Sequence, residues 1–173
     1  MTSAQKLICI LKEKNMKITF AESCTGGAMS ASIVDVSGAS SVFEYGFVTY
    51  SSEAKINTLG VSKETTSKYG VVSCETAKEM AKGAIEKSSA TISISVTGCA
   101  GPGKDNEGND AGTICLGYCV NGITIAEKVT ISGNSRNEIR KNTVDYAFER
   151  ICQFIDNLLQ PWEKIKSQNQ TLE

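Results

Sequence analysis

The stretch ATISISVTG (90–98) constrains the fold more than any other part of this sequence. Its apolar residues alternate with small polar ones, which places the two isoleucines and the valine on one face of a strand. Apolar residues at helical spacing precede it at about 74–88. Two apolar runs joined by Asn121 and Gly122, the signal of a type I′ hairpin, follow it. A helix, a strand and a hairpin in this order predict an α/β domain whose sheet is mixed.

The remaining sequence also alternates between predicted helices and strands. Apolar spacing, serine N-caps and glycine stops predict further helices at about 3–14, after Gly27, from Ser52 to Gly60, from Ser62 to Gly70 and at about 136–159, ending before Pro161. A further strand is predicted in KITFAES, which ends at Ser23, and a strand or strand pair that Gly46 interrupts is predicted in SSVFEYGFVTYS. We predict one domain over residues 1–160 and a polar C-terminal tail over 161–173.

Composition excludes several classes of partner. The 173 residues are 40% hydrophobic, which is enough for one domain with a substantial core. The 18 basic and 19 acidic residues nearly cancel and form no basic stripe, so we expect no nucleic-acid partner. No apolar run approaches the roughly 20 residues of a membrane span, and the N-terminal segment does not resemble a signal peptide. We therefore expect a cytoplasmic protein without a membrane partner.

Histidine is absent from the chain, which removes Ser-His-Asp and Cys-His catalysis and histidine metal ligands together. A hydrolase of this composition would need Lys, Tyr, Asp or Glu as its base. The seven cysteines contain no C-x-x-C pair, which favours reduced thiols. Cys115 and Cys119 would share one face of a strand, but with no further cysteine pair we expect no zinc site and no other metal.

Two glycine-rich loops are candidates for chemistry. AESCTGG (21–27) joins a predicted strand to a helix, where free backbone N–H groups attract an anion or an oxyanion, and TGCAGPGKDNEGNDAGT (97–113) leaves the central strand. Close packing is the structural alternative for both loops. Ser23 could instead cap a helix that starts at Cys24 or Thr25. Cys24 is a rival nucleophile, because a helix N-terminus would lower its pKa.

Four motifs in AESCTGG, GFVTYSSEAK, YGVVSCETAKEMAKGA and VTGCAGP, followed by GT, resemble the CinA C-terminal domain family in order and spacing. The resemblance covers about residues 5–158, and the family's stand-alone members include nicotinamide-nucleotide amidases. It implies a single-domain three-layer α/β/α sandwich that forms homo-oligomers. It also implies hydrolysis of the carboxamide of nicotinamide mononucleotide to nicotinate mononucleotide and ammonia, through a serine and a lysine and without a cofactor.

The family's catalytic positions fall on Ser23 as the nucleophile, Lys55 as its base and Tyr50 beside them. Lys55 must have a lowered pKa, because a free lysine near 10.4 is almost wholly charged at neutral pH. Tyr50 and Thr97 are expected to hold Lys55 or the attacking hydroxyl. We expect the oxyanion to be bound by the backbone N–H groups of Cys24, Thr25, Gly26 and Gly27.

The resemblance also implies a site for the substrate phosphate. The TGCAGPG loop can supply a nest of N–H groups from Thr97, Gly98, Ala100 and Gly101. The family's SGDR-like turn corresponds here to SGNSR, which leaves Arg136 and Arg140 as alternatives, of which we favour Arg136. The loop ends in NDAGT where family members often have KPVGT, a departure that bears on substrate affinity more than on chemistry.

Two other functions stay open at this stage. The chain could be a non-catalytic nucleotide-binding or regulatory protein that keeps the glycine loops without turnover. It could also be an amidase that acts on another small amide. Larger CinA proteins carry an additional N-terminal domain that resembles molybdopterin-binding folds, and we expect none of that domain's functions here.

Overall fold

The computed structural model describes the backbone of residues 1–169 and the side chains of residues 1–158. The helices are α1 (Ser3–Glu13), α2 (Ala28–Val34), α3 (Ser52–Leu59), α4 (Lys63–Tyr69), α5 (Cys74–Glu86) and α6 (Arg136–Asn169). The strands are β1 (Ile18–Glu22), β2 (Phe43–Val48), β3 (Ile92–Gly98), β4 (Thr113–Val120) and β5 (Ile123–Thr130). The predicted alternation of helices and strands is confirmed.

All five strands form one mixed sheet in the order β2-β1-β3-β4-β5. β1 runs parallel to both of its neighbours, whereas β3, β4 and β5 are successively antiparallel. Asn121 and Gly122 have φ values of 49° and 84° in the turn between β4 and β5. Both values are positive, as a type I′ turn requires, so the predicted hairpin and mixed sheet are confirmed.

Helices cover both faces of the sheet. α1, α2 and α6 pack together on one face, and α3 and α4 pack against α5 on the other. β3 is consequently buried on both sides, and its serines turn towards α5, where the Ser93 hydroxyl donates to the Ala81 carbonyl at 2.7 Å. This arrangement is the expected three-layer α/β/α sandwich in a single domain.

Serine and threonine caps fix the starts of the helices. Thr2 forms a capping box with Gln5 at the start of α1. The side chains of Ser51, Ser62 and Ser73 accept hydrogen bonds from backbone N–H groups in the first turns of α3, α4 and α5. The caps predicted at Ser62 and Ser73 are therefore confirmed, and the cap of α3 fixes where its lysine can reach.

The predicted end of the last helix is wrong. α6 continues through Pro161 to Asn169, so the part of the predicted tail that the structure describes is helical. Proline removes one backbone hydrogen bond from a helix and can kink it, but it does not have to end it. Residues 170–173 lie outside the described residues, and the domain boundary at residue 160 stays a prediction.

Candidate active site

The candidate site lies where the three parallel strands end. Ser23 directly follows β1, and its backbone N–H donates to the Val96 carbonyl of β3 at 3.0 Å. On the other side, the Thr49 N–H donates to the Glu22 carbonyl at 2.8 Å. In open α/β sheets, ligands bind in the crevice outside the carboxyl ends of such strands. Ser23 therefore lies at the edge of the sheet where functional residues of α/β proteins usually lie.

Lys55 of α3 meets Ser23 at this edge. Its Nζ donates to the Ser23 hydroxyl oxygen at 2.9 Å, to the Thr49 carbonyl at 2.8 Å and to the Tyr50 carbonyl at 3.4 Å. The side chains are buried, with exposed fractions of 1% for Lys55 and 7% for Ser23. When the ammonium loses its proton, the two carbonyls can retain the two remaining N–H groups. The lone pair of the amine then points at Ser23.

Burial lowers the pKa of Lys55 from 10.5 to about 8, because desolvation penalises the charged amine. Negative charge on Cys24 and Glu107 would oppose this shift, but both effects are smaller than desolvation. At pH 7 about a tenth of the Lys55 side chains are therefore neutral. The depressed pKa that a serine–lysine mechanism needs is present, and burial causes it.

The turn after Ser23 differs from the predicted helix start. α2 begins only at Ala28, and Ser23 does not cap it. The buried carboxylate of Glu22 takes that role at the end of β1. It accepts hydrogen bonds at 2.7 to 3.0 Å from the backbone N–H groups of Gly27, Met29 and Ser30 and from the Ser30 hydroxyl. Ser23 is thereby free to bond with Lys55.

Sequence reasoning missed Glu22. An N-cap side chain normally lies within three residues of the N–H group that it accepts, whereas Glu22 reaches five to eight residues along the chain. Glu22 is completely buried at the end of a strand, and a buried carboxylate needs several donors, so its burial would have been the signal. Burial of that kind is not visible in a single sequence.

Fewer N–H groups are available for an oxyanion than predicted. The Gly26 N–H donates to the Ser23 carbonyl at 3.0 Å, and the Gly27 N–H donates to Glu22. Within the described residues, the N–H groups of Cys24 and Thr25 donate to no carbonyl oxygen and to no side chain of another residue, although the Cys24 N–H faces its own thiol. Gly26 and Gly27 have φ values of 58° and 93°, so these glycines allow the turn rather than supply the donors.

Cys24 is unsuited to attack. Its side chain belongs to the hydrophobic core on the α6 face of the sheet, and burial raises the pKa of the thiol to about 12. The expectation that a helix N-terminus would lower this pKa is wrong, because the helix starts four residues later and desolvation dominates. The thiolate, which is the nucleophilic form, is therefore scarce at neutral pH.

The two arginines at the start of α6 contact different parts of the site. Arg140 donates to the carbonyl oxygens of Cys24 at 3.1 Å and Thr25 at 2.6 Å. Arg136 is exposed and donates to the carbonyl of Gly101 at 2.6 Å and to the hydroxyl of Tyr50 at 2.9 Å. Arg140 thus supports the nucleophile turn, whereas Arg136 presents a guanidinium to solvent at the rim.

The structure does not place the Tyr50 and Thr97 hydroxyls against the dyad. The Tyr50 side chain is 62% exposed and bonds with Arg136, so only its backbone carbonyl approaches Lys55. The Thr97 hydroxyl donates to the Val71 carbonyl at 2.8 Å. Tyr50 therefore holds Lys55 only through its backbone carbonyl, and the predicted contact of Thr97 with Lys55 or the attacking hydroxyl is wrong. A catalytic role for Tyr50 stays a prediction that has to act through Arg136.

The second glycine-rich loop folds back on the sheet. Gly98 has no room for a side chain, since a Cβ atom there would lie 2.5 Å from the Thr113 carbonyl. Ala100 packs in the core, so it could contribute only backbone groups to a ligand. The Glu107 carboxylate accepts hydrogen bonds from the N–H groups of Val71 and Val72 at 2.9 and 3.3 Å. The loop is thus fixed to the segment before α5.

The cysteines, the acidic side chains and the helices were expected to form no disulfide, metal site or membrane span. All seven cysteines are free thiols. Over residues 1–158, whose side chains the structure describes, no three His, Cys, Asp or Glu residues come together in a way that could hold a metal ion. No helix over residues 1–169 is both long and apolar enough to cross a bilayer.

Comparison with known proteins identifies the family. The sequence matches the CinA C-terminal domain over residues 1–155. A protein of Alkaliphilus oremlandii, provisionally named a competence-damage inducible protein, is 45% identical over 140 residues, which are 81% of this chain and 34% of that protein. A CinA-like protein of Kosmotoga olearia is 43% identical over 143 residues, which are 83% of this chain and 34% of that protein. The chain thus spans about a third of the length of these relatives.

Solved structures agree with the sequence match. A competence-damaged protein (CinA) superfamily protein from Escherichia coli has a TM-score of 0.84 at 30% identity, with 88% of each chain covered. A competence/damage inducible protein from Agrobacterium tumefaciens has a TM-score of 0.82 at 36% identity, covering 87% of this chain and 92% of that chain. This chain therefore belongs to the CinA C-terminal domain family.

Proposed function

We propose that the chain is a nicotinamide-nucleotide amidase, which hydrolyses the carboxamide of nicotinamide mononucleotide to nicotinate mononucleotide and ammonia. The observation that carries this proposal is the buried 2.9 Å contact between Lys55 Nζ and the Ser23 hydroxyl, with the pKa of Lys55 lowered to about 8. A hydroxyl that attacks an amide must lose its proton to a neutral base. Lys55 can be that base without histidine or metal.

Acylation of Ser23 is the first half of the proposed reaction. Neutral Lys55 takes the hydroxyl proton as Ser23 Oγ forms a bond with the carboxamide carbon. The developing oxyanion accepts hydrogen bonds from the N–H groups of Cys24 and Thr25, which donate to no other residue in the described structure. Lys55 then gives its proton to the amide nitrogen, the C–N bond breaks, and ammonia leaves.

The second half of the reaction regenerates the serine. A water molecule gives a proton to neutral Lys55 and bonds to the acyl carbon. The ester bond to Ser23 Oγ breaks, the proton of Lys55 returns to this oxygen, and the acid is released. The carbonyls of Thr49 and Tyr50 hold the lysine in one orientation through both halves.

Substrate selectivity in this proposal comes from the rim. Arg136 is exposed, and two of its nitrogen atoms reach Gly101 and Tyr50, so it joins the 97–113 loop to the segment before α3. A guanidinium has five N–H donors and can bind a phosphate through those that remain. Arg140 is already committed to the turn carbonyls, which favours Arg136 as the phosphate ligand.

The decisive experiment incubates the purified protein with nicotinamide mononucleotide and measures ammonia and the acid product together. Ser23→Ala is the control for a contaminating amidase. Equal amounts of both products from the wild-type protein alone would support the proposal. Binding of the nucleotide without ammonia release would indicate a regulatory nucleotide-binding protein. Ammonia from another amide in a substrate panel, but none from the mononucleotide, would indicate an amidase of different specificity.

A further inference from the structure

Two buried hydroxyls at the site lack a hydrogen-bond partner. In the described side chains, the buried oxygen and nitrogen atoms without a partner are the hydroxyls of Thr25, Thr49 and Thr124. Thr124 lies on β5, whereas Thr25 and Thr49 lie next to the serine–lysine pair. An unpaired buried hydroxyl destabilises a fold, so its presence in a site calls for an explanation. A polar group that meets its partner only during the reaction is one such explanation.

Thr49 lies beside both the nucleophile and the base. Its N–H donates to the carbonyl of Glu22, the residue before Ser23, and its own carbonyl accepts from Lys55 Nζ at 2.8 Å. β1 and β2 pair Glu22 with Val48, so the next step of the register sets Thr49 opposite Ser23. Covalent geometry keeps the hydroxyl within about 5 Å of its own carbonyl oxygen. The side chain is 1% exposed.

A hydrogen-bonding group at this place would favour deacylation. Once Ser23 Oγ is esterified, it cannot position the second nucleophile. Lys55 can accept a proton from water, but its two other N–H groups are held by the carbonyls of Thr49 and Tyr50. One contact with Lys55 leaves the water free to turn, and a second contact would orient it towards the acyl carbon.

We propose that the Thr49 hydroxyl is a catalytic residue that holds the attacking water beside Lys55. This inference rests on the proposed serine–lysine amidase function. The hydroxyl hydrogen-bonds to the water oxygen while one water proton moves to Lys55 Nζ and the oxygen bonds to the acyl carbon. The ester bond to Ser23 then breaks, and the Lys55 proton goes to Ser23 Oγ. Thr25 makes no hydrogen bond with Lys55 among the described residues and is not part of this step.

The test replaces the hydroxyl by a methyl group of similar size in Thr49→Val. Since the hydroxyl has no partner in the free protein, the melting temperature should stay the same or rise. Steady-state ammonia production from nicotinamide mononucleotide should fall about tenfold or more, the value of one lost hydrogen bond in the transition state. Mass spectrometry should detect acylated Ser23 during turnover.

Thr124→Val is the matched control, because it removes an equally unpaired hydroxyl far from the site. Its turnover should equal that of the wild type.

An activated ester separates failure of this inference from failure of the proposed substrate. With p-nitrophenyl acetate, Thr49→Val should release a burst of about one equivalent of nitrophenolate at the wild-type rate and then turn over at least tenfold more slowly. A wild-type steady-state rate without acyl-enzyme would overturn the role of Thr49, whichever amide is the substrate. A reduced burst rate would assign Thr49 to acylation and also overturn it. If the wild-type protein is acylated by neither compound, the serine–lysine mechanism fails and this inference fails with it.

Discussion

The carboxylate of Glu22 accepts hydrogen bonds from both the backbone N–H and the hydroxyl of Ser30, at 2.9 and 2.7 Å. These contacts join the end of β1 to the first turn of α2 and leave the residues between them as a tight turn. The positive end of the helix is thereby occupied by a buried carboxylate. Ser23, at the start of the same turn, has no capping role to compete with its contact to Lys55.

Replacement of the nucleophile should abolish turnover without unfolding the protein. We expect Ser23→Ala to reduce ammonia release by at least about a thousandfold, because the hydroxyl acts in the transition state. Ser23 caps no helix, so the stability loss should be that of the hydrogen bond from Lys55, about 1.5–3 kcal/mol at pH 7, which leaves the protein folded. Nucleotide binding should be nearly unchanged, so ammonia release, calorimetry and urea unfolding measure the three effects on turnover, binding and stability.

Cys24→Ala is the matched control for the nucleophile. It should remain active, because burial raises the pKa of the thiol to about 12, and it should lose only the packing of one sulfur atom. An active Ser23→Ala protein with an inactive Cys24→Ala protein would move the nucleophile to the thiol and contradict the proposed chemistry.

The activity should follow the ionisation of Lys55. Because the base must be neutral and its pKa is about 8, kcat/KM should rise about tenfold per pH unit below pH 8 and level off above it. Lys55→Arg should be inactive, because guanidinium keeps its proton near neutrality. A profile that is flat between pH 6 and pH 9 would exclude Lys55 as the base.

The same ionisation should appear in stability. Between pH 8 and pH 10.5 the folded protein has a neutral Lys55, whereas the unfolded chain still binds the proton. Stability therefore rises with pH in this window, and below pH 8 the buried charge destabilises the fold by roughly 3 kcal/mol relative to a neutral side chain. Urea unfolding of the wild type and of Lys55→Met should show a difference that shrinks from pH 7 to pH 10. A constant difference would mean that Lys55 titrates normally.

Arg136 and Arg140 should affect different kinetic parameters. Arg136→Ala should raise KM for the mononucleotide roughly tenfold or more, by the loss of a charge-assisted contact, and should not change hydrolysis of the riboside. Arg140→Ala should lower kcat for both compounds, because it frees the carbonyls of Cys24 and Thr25 and loosens the turn. Steady-state kinetics with both substrates tests the assignment, and a KM effect confined to Arg140 would reverse it.

Local signals predicted the elements of the fold because they act between near neighbours in sequence. The cap at Ser73 and the turn at Asn121 depend on residues within three positions. Pro161 is the exception, since a proline weakens a helix without deciding where it ends. The interruption predicted at Gly46 is wrong, because β2 runs through this residue. The glycine instead leaves room for the Ser30 hydroxyl, which comes from a distant segment.

The site was accessible to sequence reasoning only in part. The absence of histidine excluded histidine mechanisms. The pairing of Ser23 with Lys55, however, came from the family resemblance, because 32 residues separate them in sequence. The pKa of Cys24 is set by burial, which the sequence does not display. Tyr50 was expected to hold Lys55 or the attacking hydroxyl, but only its carbonyl reaches Lys55, and its hydroxyl accepts a hydrogen bond from Arg136, 86 residues away. Contacts of this range require the folded chain.

The Glu22 carboxylate should be required both for stability and for the geometry of the turn that follows Ser23. Glu22→Gln keeps the shape of the side chain but replaces one acceptor oxygen by an NH₂ group, which would face backbone N–H donors. Two of the four hydrogen bonds should be lost, and stability should fall by roughly 2 kcal/mol. Turnover should fall as well, since the N–H groups of Cys24 and Thr25 lose their fixed direction. Ser30→Ala removes only one of these bonds and should cost about 1 kcal/mol with near-normal kcat. Urea unfolding and steady-state kinetics measure both variants. A Glu22→Gln protein with wild-type stability and kcat would show that the carboxylate neither caps α2 nor positions the turn.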